Sequence, residues 1–237
     1  MTDIVDKLKN LLPGGAVIEG EAISSRATSY WDASPMQGRA MVRPSSTDEV
    51  SQVLKFCHDN QQSVVVQGGL TGVVEGALAT ADDVILSLEK MNAIESVDEI
   101  DGVAVVEAGA ILQDVQEQLA DKGLLFPLDL GARGSCTIGG AVATNAGGIN
   151  VLRYGMMRNL VLGLEAVLAD GTVLSSMNQM LKNNTGYDIK QLFIGSEGTL
   201  GVVTRAVVKL FPMPTSRQTA MFATESFDAV IRILKTM

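Results

Sequence analysis

The stretch at 127–148, PLDLGARGSCTIGGAVATNAGG, constrains this chain more than any other. Six of its 22 residues are glycine, and only Asp129 and Arg133 carry charge. So little side chain leaves backbone amides uncovered and lets the main chain come close to whatever lies beside it. Gly139 and Gly140 precede the apolar run Ala141, Val142 and Ala143, which reads as the opening of a helical turn. A helix start with bare amides attracts anions. Loops this long are uncommon in compact domains unless they carry function. The pattern predicts a loop that wraps a phosphate-bearing cofactor; the plainer alternative is a long structural connection.

Two more glycine-rich loops border strands. SVVVQ at 63–67 runs into GGLTGVVEGA at 68–77, and GSEGTLG at 195–201 feeds an apolar strand at 202–210. The first loop has neither the G-x-G-x-x-G spacing nor G-x-x-x-x-G-K-[ST], so the dinucleotide and P-loop fingerprints both fail. Bare amides with the Thr71 hydroxyl still suit an anion-binding nest.

Charge and special residues narrow the function. The net charge of −9 and the lack of a basic stripe argue against a nucleic-acid partner. No run of 18 apolar residues is present to span a bilayer as a helix. The N-terminus, MTDIVDKLKN, mixes acids and bases without a signal peptide's apolar centre, and a cytoplasmic address is expected. Cys57 and Cys136 do not make a disulfide framework. The single histidine, His58, rules out a multi-histidine metal site and restricts any acid–base scheme.

Taken in order, the chain predicts an α/β arrangement from residue 40. Thr2 caps a first helix with Ile4, Leu8, Leu11 and Leu12 on one face, stopped at Pro13. Residues 20–38 are irregular, and Tyr30-Trp31-Asp32 reads as a surface crossing rather than a lid. A strand at 40–43 ends at Pro44, and Thr47 caps a helix carrying Val50, Val53, Leu54 and Cys57 inward. Strands follow at 63–67 (a buried-type run) and 84–88, then a hairpin of 93–97 and 103–107 around the acidic turn DEIDG. Ile111, Val115 and Leu119 trace a helix stopped by Gly123. Strands at 160–169 and 172–175 turn at Asp170-Gly171. Pro212 and Pro214 mark a boundary, after which Met221-Phe222-Ala223 and 227–234 read as a strand and a helix.

The ordered set of RPSSTDEV at 43–50, GGLTG at 68–72, IGG at 138–140, NAGG at 145–148, RYG at 153–155 and GSEGTLG at 195–201 resembles the flavoprotein family of vanillyl-alcohol oxidase and p-cresol methylhydroxylase, the PCMH-type FAD-binding fold. PLDLGA at 127–132, NNTGYD at 183–188 and QLFIG at 191–195 are similar to the D-2-hydroxyglutarate dehydrogenase branch, whose neighbours are D-lactate dehydrogenases and glycolate oxidase flavin subunits. The resemblance implies an α+β fold of two α/β lobes with FAD extended between them. It divides the chain into an N-terminal helix and crossing segment at 1–38, the FAD-binding domain at 39–215 and the start of a substrate cap, largely absent, at 216–237.

By the same resemblance, Gly68, Gly69, Leu70, Thr71, Gly72, Gly76 and Ala77 cradle the pyrophosphate through backbone amides. Pro127, Leu128 and Asp129 lie along the flavin. Ser135, Thr137, Gly139, Gly140, Ala143, Thr144, Asn145 and Gly148 line the flavin and ribityl chain, and Glu197, Gly198 and Val202 complete the clamp. Leu70 stands where covalent-flavin relatives carry histidine, which implies non-covalent FAD. Glu75 stands where many relatives carry glycine, and must point outward.

The catalytic residues are expected in the missing C-terminal part, as is any divalent metal, which belongs to the full-length enzyme. The implied reaction is oxidation of a D-2-hydroxy acid, best D-2-hydroxyglutarate, to the 2-oxo acid. Electrons pass to an external acceptor: an electron-transfer flavoprotein, a quinone, a cytochrome or oxygen. The alternatives are a D-lactate or glycolate dehydrogenase flavin subunit, and a non-catalytic flavin-binding module working with a partner chain. A truncated product is a further alternative. Lacking the cap, Leu128, Ile138 and Val202 are expected to form an exposed apolar patch that favours a homo-oligomer or a separate cap subunit.

Overall fold

The computed structural model describes residues 4–236. The proposed Thr2 cap lies outside them. Helix α1 (Ile4–Leu11) turns Val5 and Leu8 into the core. Strand β1 (Val17–Ile18) and the short helix α2 (Glu21–Ser24) lead through an irregular segment to β2 (Ala40–Val42). Helix α3 (Thr47–Asp59) buries Val50, Val53, Leu54 and Cys57, the face that its spacing predicts. Its cap is Ser46 rather than Thr47. Ser46 has the extended backbone a cap needs, and its hydroxyl accepts from the Glu49 amide at 3.2 Å. Thr47 is the first helical residue, and its hydroxyl donates to the Glu165 carboxylate at 2.7 Å.

Strands β3 (Val64–Gln67) and β4 (Val84–Ser87) complete a four-stranded sheet of order β1-β2-β4-β3. β4 runs parallel to β2 and β3, and β1 is antiparallel to β2. β4 is buried throughout; β3 is the sheet edge, and its valines are half-buried despite an equally apolar sequence.

The second lobe begins with β5 (Ile94–Asp98) and β6 (Val103–Glu107), the hairpin around the acidic turn. Helix α4 (Leu112–Ala120) and strand β7 (Leu124–Leu125) precede the long glycine-rich stretch. Within that stretch lies helix α5 (Ile138–Ala143), so Gly139 and Gly140 sit inside the helix and Thr137 caps it. Helices α6 (Val151–Tyr154) and α7 (Met157–Leu160) lead into β8 (Val161–Val167) and β9 (Val173–Ser176). Helix α8 (Lys190–Phe193), β10 (Val202–Lys209), β11 (Phe211–Pro212) and α9 (Phe227–Thr236) finish the described chain. The second sheet is antiparallel, of order β5-β6-β10-β8-β9; β7 and β11 form a separate pair.

One large apolar cluster runs through both lobes, from Leu8, Val50 and Leu86 to Ala104, Ala166 and Val208. Alternation in β6 sends Ala104 and Val106 to this core and Val103 and Val105 to a smaller cluster on the opposite face. The lobes are also joined by polar contacts. Glu165 on β8 is buried and accepts from Thr47 and Thr204, and Ser51 on α3 donates to the Gly171 carbonyl.

Two expectations fail here. Leu128, Ile138 and Val202 are buried, at 2%, 0% and 4% exposure, because they pack into the shared core; they form no open patch. Met221-Phe222-Ala223 is not a strand: the segment is exposed and pairs with no described strand.

Candidate cofactor site

Thr137 makes the first piece of the site. Its hydroxyl accepts from the Gly140 amide at 3.1 Å and so starts α5. The amides of Ile138 and Gly139 donate to the carbonyls of Ala110 and Ala108, which lays the helix start against the end of β6. A Cβ on Gly139 would stand 2.6 Å from the Ala108 methyl, so this approach excludes a side chain. At the other end of α5, the amides of Gly195 and Glu197 donate to the Val142 and Ala143 carbonyls. The third glycine-rich turn is thereby pinned to the second.

The first loop closes the site. It leaves the C-terminal end of β3, and Gly69 presses on the backbone of the second loop: a Cβ there would lie 2.0 Å from the Ser135 carbonyl oxygen. Backbone strain concentrates around these loops. Leu70, Glu75, Asn145 and Glu197 all have positive φ, an arrangement that non-glycine residues adopt at a cost of about 1–3 kcal/mol each. Among the described residues, no protein acceptor takes the amides of residues 69–77.

Together the three loops wall a cavity of about 590 Å³ that opens to solvent between the lobes. Gly68, Gly69, Leu70, Thr71, Gly72, Gly76 and Ala77 all line it, as do Thr137, Gly139, Gly140, Ala143, Thr144, Glu197, Gly198 and Val202. Six other predicted residues, Pro127, Leu128, Asp129, Ser135, Asn145 and Gly148, are not among those lining it. The Leu128 carbonyl accepts from Gln116, the Pro127 carbonyl accepts from Asn150, and a Cβ on Gly148 would meet the Asp129 carbonyl oxygen at 1.9 Å. Asn145 accepts from the Arg158 amide, and Ser135 backs Gly69. From this stretch, Leu130, Gly131 and Ala132 reach the cavity instead of 127–129.

Leu88, Ala108 and Cys136 also line the cavity, although no motif marks them. Leu88 and Ala108 directly follow β4 and β6, and that position at strand ends is the one signal that points to them. The Cys136 thiol is buried, which pushes its pKa up and keeps it neutral. Glu75 is exposed and absent from this lining; it faces a smaller outer groove. His58 is exposed near the end of α3 and does not line the cavity.

The electrostatics of the wall are unusual for an anion site. The single charged side chain lining it is Glu197, and no lysine or arginine does so. Any anion held here would be met by oriented peptide dipoles and hydroxyls. Among the described residues, no cluster of three or more His, Cys, Asp or Glu is placed to hold a metal ion, and no helix is long and apolar enough to cross a membrane.

The sequence pattern of the FAD binding domain family matches residues 38–176. The mitochondrial D-2-hydroxyglutarate dehydrogenase of Bos taurus is 42% identical over 234 residues, covering 99% of this chain and 43% of the bovine protein. A putative mitochondrial D-lactate dehydrogenase of Schizosaccharomyces pombe is 48% identical over 191 residues, 81% of this chain and 36% of that protein. A D-2-hydroxyglutarate–pyruvate transhydrogenase of Saccharomyces cerevisiae is 43% identical across 83% of this chain and 40% of its own length. The chain thus spans less than half the length of these relatives. Among solved structures, an alkyldihydroxyacetonephosphate synthase superposes with a TM-score of 0.79 over 90% of this chain and 40% of that one. At 23% identity, that likeness concerns the fold alone. The relatives from Bos taurus, Rattus norvegicus, Schizosaccharomyces pombe and Arabidopsis thaliana are mitochondrial by name, which overturns the cytoplasmic address expected from the N-terminus.

Proposed function

Because this chain belongs to the FAD binding domain family, we propose that it is the flavin-holding part of a dehydrogenase that oxidises a D-2-hydroxy acid, best D-2-hydroxyglutarate, to the 2-oxo acid. The observation that carries the reading is the cavity between the lobes, walled by three glycine-rich loops. Its fit to FAD is chemical. The cofactor's two phosphates need donors, and the 69–77 loop holds amides without a protein acceptor. Its ring system needs an apolar slot, and Leu88, Leu130, Val202 and Val203 line the same space. The volume lies in the range of small-molecule sites.

In this reading Gly69, Thr71, Gly72 and Gly76 receive the pyrophosphate. Thr137, Gly139, Gly140 and Thr144 border the ribityl and ring portion, and Gly198 and Val202 complete the wall with Glu197, whose carboxylate lies beside Gly76. Ser135 backs Gly69, and the Asn145 side chain ties the second loop to the Arg158 amide. Leu70 has no nucleophilic atom, so the cofactor is held without a covalent bond. When bound, FAD supplies the two-electron acceptor for the substrate's α-carbon hydride. This chain holds and orients the cofactor.

A group that accepts the substrate's hydroxyl proton is also required. His58 stands outside the cavity and does not fill that role. We assign the base and the substrate-carboxylate contact to the part of the relatives' length that this chain does not span. The test has two parts. The purified chain should bind one FAD that acid or heat releases intact. Flavin-loaded full-length protein carrying this chain, mixed anaerobically with D-2-hydroxyglutarate, D-lactate, glycolate and the L-acids, should lose its flavin colour with a D-2-hydroxy acid. Reduction by none of them, in protein that holds flavin, would contradict the dehydrogenase reading.

A further inference from the structure

A surface arm at residues 27–35 presses on the outer side of the 69–77 loop. The arm braces itself. Ala27 and Pro35 form a β-bridge, the Thr28 amide donates to the Ser34 carbonyl at 2.9 Å, and the Ser29 hydroxyl accepts from the amides of Trp31 and Asp32. Asp32 accepts from the Ser34 amide at 2.8 Å, a bond that holds its carboxyl below the usual range. Arg26, at the foot of the arm, pairs with Glu89 beyond β4.

Two donors then reach the loop. The Tyr30 amide donates to the Leu70 carbonyl at 3.0 Å, and the Trp31 indole Nε1–H points at the Thr71 carbonyl at 3.5 Å. Leu70 is also anchored outward, packed against the cluster of Ile23, Met36, Met41 and Ile85. In a trans peptide the carbonyl and the following N–H point in opposite directions, and no described peptide is cis. A Leu70 carbonyl held outward turns the Thr71 amide inward, and a Thr71 carbonyl held outward does the same for Gly72. Both residues line the large cavity.

We propose that the Tyr30–Trp31 arm is the positioning element of the anion cradle: by capturing two carbonyls on the loop's outer side, it aims the Thr71 and Gly72 amides at the phosphates. The idea rests on the flavin reading above. Trp31 is a positioning residue and touches no reacting atom. Its exposure, 67%, also argues that the core does not depend on it.

The test uses Trp31→Phe, which keeps the ring and removes the N–H, and Trp31→Ala, which removes both. FAD, ADP and riboflavin serve as separate probes, with a thermal melt on each variant. The Trp31 bond is long, so its loss in Trp31→Phe predicts about twofold to threefold weaker binding of FAD and ADP. Trp31→Ala should lose at least as much, while riboflavin, which lacks phosphate, binds both variants as it binds the parent. Unchanged FAD and ADP affinity in both variants would overturn the arm's role. An equal loss for riboflavin would also overturn it, since that marks a general loosening of the cavity. A parent chain that binds none of the probes would overturn the flavin reading itself, a result distinct from the other two.

Discussion

Single glycines decide whether the loops can meet, and two of them separate folding from binding. At Gly69 an added methyl would overlap the Ser135 carbonyl oxygen at 2.0 Å and the Cys136 Cα at 2.9 Å, both backbone atoms that yield only if a loop moves. Gly69→Ala should therefore destabilise the chain by about 1–3 kcal/mol, the usual range for overpacking, and weaken FAD binding as well. At Gly72 an added methyl meets nothing within 4 Å. Gly72→Ala should melt like the parent while binding FAD more weakly, because the open space is the ligand's. A melt and a flavin titration on each variant check the contrast; equal losses of stability would contradict it. Charge at residue scale gives a pH prediction. The Glu89 carboxyl is held below its ordinary value first by hydrogen bonds from Arg26, with Arg43 adding to this, against a partial desolvation that opposes it. A depressed folded value means that the stabilisation is present above the unfolded glutamate value and is lost as pH falls through the folded one. Both pairs are partly exposed and screened, so the effect is modest. Glu89→Gln should lower the melting temperature near neutral pH and narrow the gap to the parent in acid.

Among elements, the short helix α5 carries the most. Thr137 supplies its cap and a cavity wall at once, so Thr137→Ala should cost about 1 kcal/mol of stability and loosen FAD, read by melt and titration together. Helix α9 is the opposite case. It has an apolar side, with Phe227, Val230, Ile231 and Leu234, yet no residue of it is buried. Removing residues 216–237 should shift the melting temperature by no more than one or two degrees and leave FAD affinity intact; a large drop would mean that the segment supports the lobes. The elements also show what the sequence carries and what it omits. Strands, hairpin and helix faces follow from local apolar spacing, and α3 lies where Val50, Val53, Leu54 and Cys57 place it. The partnering of a strand is not local. Residues 63–67 and 84–88 look alike as text, but only the sheet order makes one an edge and the other a centre. Met221-Phe222-Ala223 has strand composition and no partner to pair with.

At the scale of the whole molecule, the three glycine-rich loops of the motif set meet around one cavity, and tertiary packing sorts their neighbours. Pro127 and Leu128 are buried, their carbonyls held by Asn150 and Gln116, and the Asp129 carbonyl accepts from the Ile149 amide, so the cavity is lined instead by Leu130, Gly131 and Ala132. Leu128, Ile138 and Val202 belong to a core that spans both lobes, which a reading by separate segments does not reveal. Cys136 enters the wall because Gly69 draws the two loops together. The proposed anion site thus lies in a chain of net charge −9, with Glu197 as the single charged residue lining it among the described residues. The central claim is that peptide dipoles, not side-chain cations, hold the cofactor's phosphates. Salt screens attraction between separated charges strongly and short contacts to peptide dipoles weakly. The direct measurement is the dissociation constant of FAD from the purified chain, titrated by flavin fluorescence at low and at high sodium chloride. One saturable site whose affinity changes less than about threefold between about 0.05 and 0.5 M salt is predicted. No saturable binding, or an affinity that falls tenfold or more across that range, would contradict it.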